Sequence, residues 1–114
     1  MSIQVSGTTV IGDDRKLQNY RLNSIVQSTN TTAVAGNYYI VTASITLTLP
    51  ASPTIGDVVG FANQSGTTTC VIAPNGTPAS QTINGVTGNM TVDINYASFI
   101  LQYSGSVTKG WVFV

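Results

Sequence analysis

Residues 44–50 read SITLTLP, and the alternation is strict. Ile45, Leu47 and Leu49 fall on one side, Ser44, Thr46 and Thr48 on the other. A period of two fits a half-buried β-strand rather than a helix. Pro50 and Pro53 end the strand, because proline has no N–H to give to a ladder. The pattern returns in GNMTVDIN, which puts Met90, Val92 and Ile94 inward. It returns again in YASFILQY, with Ala97, Phe99, Leu101 and Tyr103 on one face and Tyr96, Ser98, Ile100 and Gln102 on the other. NYYIVT, DVVGFAN, TCVIAP and WVFV read as further strands. Thr and Val are abundant and Glu is absent, which favours strand over helix. One short helical turn fits DDRKLQNY, with Asp13 as its cap.

Between the strands lie SPTIGD, NQSGTT, PNGTP, INGVTG and YSGSVTKG, all rich in turn formers. Asn75-Gly76 and Asn84-Gly85 are dipeptides that two-residue hairpins prefer, since both residues tolerate positive φ. Short strands at regular spacing with such turns predict an all-β fold: a single antiparallel β-sandwich, jelly-roll-like, with a short N-terminal arm. A chain of 114 residues suits one domain of this kind. Five of the eight charged residues, Asp13, Asp14, Arg15, Lys16 and Arg21, precede the polar stretch STNTT. The expected division is an arm or connector over 1–28 and the β-sandwich over 29–114.

Charged residues make up only 7% of the chain, and the formal net charge is zero. Solubility then rests on Thr, Ser, Asn and Gln, and neutral surfaces of this kind associate readily. A nucleic-acid partner needs a basic stripe, and an anionic membrane surface needs a basic cluster. Neither is present, so neither partner is expected. No apolar run has the length of a spanning helix. The start MSIQVSGTTVIGDD lacks the charged and apolar regions of a secretory leader. The Asn-X-Ser/Thr sequons at Asn30, Asn63, Asn75 and Asn89 follow from composition.

Chemistry-bearing residues are few. There is no His and no Glu, which removes histidine-based nucleophilic triads and leaves four Asp for any carboxylate pair. Asp57 sits in the turn TIGD and is expected to bond backbone amides; Asp93 is expected on an outward strand face. Cys70 is the single cysteine and lies in an apolar strand, as a small core residue would. No enzyme activity, metal or cofactor is expected.

The aromatics remain. Tyr38 and Tyr39 are consecutive in a strand and so point to opposite faces. Together with Tyr96, Trp111 and Phe113 they are the candidates for a subunit interface or a ligand platform. Sugar-binding modules present Trp and Tyr in this way. The plainer expectation is that Trp111 and Phe113 fill the core or a subunit contact.

ITLTLPASPTIGDVVGFANQSG, VIAPNGTPASQTINGV and MTVDINYASFILQYSGSVTKGWVFV, in that order, resemble a β-domain of bacteriophage virion-surface proteins, above all of cyanophage tail fibres. The resemblance covers roughly residues 39–114. VSGTTVIGDDRKLQNYRLNSI resembles the short connector found before or between such fibre domains. These likenesses imply a non-enzymatic virion structural protein at the particle surface, assembled as a homotrimer. Length points to a capsid decoration (cement) protein that stabilises the particle. The alternatives are a tail-fibre or tip subunit, or a carbohydrate-binding module for host surface glycans. Implied partners are the major capsid protein or tail components, with Asp13, Asp14, Arg15, Lys16 and Arg21 as arm contacts. A host glycan is a further possible ligand.

Overall fold

The computed structural model describes residues 3–5, 8–11, 22–66, 69–76 and 81–114. Every regular element among them is a strand: β1 (Ile3–Val5), β2 (Thr8–Ile11), β3 (Asn23–Gln27), β4 (Thr31–Thr32), β5 (Asn37–Val41), β6 (Thr46–Thr48), β7 (Val58–Asn63), β8 (Cys70–Ala73), β9 (Met90–Val92), β10 (Ser98–Tyr103) and β11 (Trp111–Phe113). β1 and β2 pair with each other. The rest form a five-stranded sheet in the order β11-β10-β7-β5-β3 and a four-stranded sheet in the order β4-β6-β8-β9. The all-β expectation holds.

The purely antiparallel expectation does not. β3, β5 and β7 are mutually parallel, as are β4, β6 and β8. From β3 to β8 the chain visits the two sheets in strict alternation. Each return to a sheet therefore runs the same way as the last visit. Parallel neighbours need a crossover, usually a helix; here a strand of the other sheet makes it. After β8 the alternation ends. β9 pairs antiparallel to β8, β10 antiparallel to β7, and β11 antiparallel to β10.

Both sheets feed one core. Tyr39, Val41, Val59, Phe61, Leu101, Tyr103 and Trp111 enter it from the five-stranded sheet, Leu47, Cys70, Ile72 and Val92 from the four-stranded one. Ile45, Leu47 and Leu49 are all buried, as their alternation predicts, and Cys70 is a core residue. Ile94 is a correction. β9 stops at Val92, and Ile94 sits in the turn before β10, 66% exposed. Its carbonyl accepts from Ala97 N at 3.3 Å and from Asn63 Nδ2 at 3.1 Å, which bends the chain away from the sheet.

Residues 23–27 form β3, the edge of the five-stranded sheet, paired along its length with β5. Asp13, Asp14, Arg15, Lys16 and Arg21, with the short helical turn expected there, lie outside the described residues.

The two Asn-Gly dipeptides differ. Asn84 and Gly85 have φ of 51° and 77°, and Ile83 and Val86 exchange both backbone hydrogen bonds around them. This is the two-residue hairpin turn such a dipeptide favours. Around Asn75-Gly76 the description stops at residue 76. Asn75 donates from Nδ2 to the carbonyl of Leu49 at 3.1 Å, tying the loop after β8 to the end of the β6 segment.

Candidate assembly surface

The candidate aromatics separate into two groups. Tyr39 is buried, and its hydroxyl accepts from Val34 N at 2.8 Å and Asn37 Nδ2 at 3.2 Å. Trp111 is fully buried; its indole Nε1 donates to Gln81 Oε1 at 2.9 Å. Both are core residues and present no platform to a ligand, which corrects that expectation for Tyr39 and Trp111. Tyr38 is half-buried, packed over Gly60 and hydrogen-bonded through its hydroxyl to that of Ser98. Tyr96 and Phe113 reach the surface, at 68% and 45% exposure.

Trp111 is buried and Phe113 is not, although both lie on β11, the end strand of the five-stranded sheet. The connection from β8 to β9 runs beside β11 at Trp111, where Ile83 forms a backbone bridge with it. Trp111 N donates to Thr82 O at 2.8 Å, and Asn84 N donates to Trp111 O at 2.7 Å. Thr82 is anchored in turn by its hydroxyl, which reaches the carbonyls of Val107 and Thr108 at 3.2 and 3.0 Å. This pairing ends at Trp111. Phe113, two residues on and on the same strand face, is left open.

Phe61, Phe99 and Phe113 form a graded series from core to surface. Phe61 and Phe99 are stacked with centroids 5.4 Å apart, and Phe99 meets Phe113 edge-on at 5.3 Å. Two hollows flank Phe113. One, about 270 Å³, is lined by Ile83, Asn84, Val86, Gly88, Asn89, Met90 and Phe113. The other, about 180 Å³, is lined by residues 90–94 with Ala97, Phe99 and Phe113. Met90 and Phe113 line both, so the two make one seam between β9 and β11. Val86 and Ile94, each 66% exposed, stand on its two halves.

The turn that carries Ile94 and Tyr96 is held by Asn63, a residue that sequence reasoning placed at a strand end and in a sequon but gave no such role. Asn63 is fully buried at the end of β7. Its Nδ2 donates to Ile94 O, its Oδ1 accepts from Ser65 N at 3.2 Å and Ser65 Oγ at 2.5 Å, and its backbone bonds Ala97 O and Tyr96 N. A buried amide at a strand end, just before a Ser and a Gly, was the available signal. Asp57 behaves as expected for a turn residue: its Oδ2 accepts from Thr54 N at 2.9 Å. Asp93 is exposed, on the rim of the seam.

Among the described residues, no three His, Cys, Asp or Glu side chains group closely enough to hold a metal ion. No protein-family model matches this chain, and no curated protein matches it in sequence.

Proposed function

We propose that this chain is a non-enzymatic structural protein of a bacteriophage particle, a homotrimeric surface component of the capsid-decoration or tail-fibre kind. Its two mixed sheets act as the layers of one β-sandwich, since both send side chains into a single core. The observation that carries the proposal is the open apolar seam around Phe113, on a described surface that carries few charges. Val86 and Ile94 on the seam, each 66% exposed, and Phe113 at 45% give it an open apolar face. Exposed apolar side chains gathered at one place mark a candidate interaction surface. Three Asp and Lys side chains serve the whole described surface, so little opposes association. The resemblance of residues 39–114 to fibre-type domains points to the same setting.

Gold-labelled antibody against the purified chain tests the location. Labelling of intact particles of the encoding virus, on heads or on tails, is the expected result. Particles that carry no label and lack the chain in their protein content would overturn the proposal.

A further inference from the structure

The five-stranded sheet turns Tyr39, Val41, Val59, Phe61 and Leu101 to the core, so the alternate residues of its strands point away from it. That outward face is apolar. Val26 stands on β3, Tyr38 and Ile40 on β5, Val58 on β7, Ile100 on β10 and Val112 on β11, each exposed or half-buried. The register sets them in rows across the sheet, Val26 beside Ile40 and Ala62, Tyr38 beside Gly60 and Ile100. Of the polar groups on this face, the hydroxyls of Tyr38 and Ser98 are bonded to each other. None of the five strands contains a charged residue. The outward face of the four-stranded sheet differs: it presents Thr32, Thr46, Thr48 and Thr91 around Val71 and Ala73. Strands with one face in water alternate apolar with polar, whereas strands covered on both faces read as continuous apolar runs. β5 and β7 contain YYIV and VVGFA, which is the covered pattern.

We infer that in the trimer this face of each copy is turned to the threefold axis and is covered by the same face of the two other copies. The inference rests on the homotrimer proposed above and names the surface that closes it. Around such an axis the β3 end of the face on one copy meets the β11 end on the next, a heterologous contact that closes after three copies. Near the axis each side chain has its own two copies as neighbours, so a charge there would meet like charges. A foreign partner imposes no such restriction, because it can answer each charge with an opposite one. A face free of charge across all five strands therefore fits its own copies. The Phe113 seam does not suit the axis, since exposed Asp93 lines it. The seam adjoins the face instead: β11 gives Val112 to the face and Phe113 to the seam, so apolar surface continues around the edge strand.

Sedimentation velocity over a concentration series, with circular dichroism to confirm folding, compares the wild type with I100E, V26E and T46E. Ile100 lies beside Gly60 of the central strand β7. Val26 is 69% exposed on the edge strand, so a charge there spares the fold. Thr46 is the control on the opposite outward face. The wild type sediments as a trimer and I100E as a folded monomer. V26E weakens association by about tenfold or more, and T46E changes it by less than about threefold. If I100E does not fold, V26E decides alone. A wild-type trimer left intact by V26E and by a folded I100E would overturn this inference and leave the trimer standing. Equal weakening by T46E and V26E would overturn it as well, since the contact would then not be confined to the apolar face. A wild-type monomer would overturn the trimer itself, and this contact with it.

Discussion

The ring of Tyr38 lies against the backbone of Gly60. The two residues are direct partners across the parallel β5–β7 pair, and a methyl group added at Gly60 would stand 2.1 Å from Tyr38 Cδ2. The missing side chain at Gly60 is what lets the Tyr38 ring cross β7 and reach Ser98 on β10 with its hydroxyl. One aromatic residue thereby spans three adjacent strands on the face of the sheet away from Tyr39. Glycine weakens a strand interior, and an aromatic neighbour laid over it offsets that weakness.

Gly60→Ala should destabilise the fold by roughly 2 kcal/mol, the usual scale of overpacking. Most of that loss should vanish in a Tyr38→Ala background, because the clash is with this ring. A double-mutant cycle by urea unfolding measures the coupling. Equal losses in the two backgrounds would show that Gly60 is needed for some other reason.

Gln81→Met should leave the buried indole N–H of Trp111 without the acceptor that now stands at 2.9 Å. A buried donor left unpaired costs about 1–3 kcal/mol. Thermal unfolding should show a lower midpoint, and Trp111 fluorescence should report the altered surroundings of the single tryptophan. Trp111→Phe in the Gln81→Met background removes the orphaned donor, so its further loss should reflect packing alone.

Asn63→Ala should loosen the turn over residues 94–97 before it affects the rest of the sheet. The side chain supplies the bond to Ile94 O, and the buried amide leaves partners behind when it is removed. A loss of about 2 kcal/mol is expected for a buried hydrogen-bonded group of this kind. Hydrogen exchange should quicken at Ala97, whose N–H bonds Ile94 O, more than at Val71 in the centre of the other sheet.

The sequence made the strands legible where periodicity was local. The set Ile45, Leu47 and Leu49 is buried as its alternation demands, and Asn84-Gly85 makes the hairpin its chemistry favours. Strand direction was not legible in the same way. Turn residues advertise hairpins, yet β3, β5 and β7 become neighbours only after the chain has crossed to the other sheet and returned. No local signal marks that route, since the intervening strands are short and their spacing changes from one circuit to the next. The fate of the aromatics was hidden for a related reason. Trp111 and Phe113 share one strand face, yet residues distant in sequence treat them differently: Gln81 and Thr82 meet Trp111, and Phe113 is left at the seam.

Light scattering behind a sizing column on the wild-type chain tests the central claim most directly. The account predicts a single species at three times the 11.9 kDa mass of the chain, stable on dilution. A species at 11.9 kDa across the whole concentration range would contradict it, and would leave the apolar seam at Phe113 to a different partner.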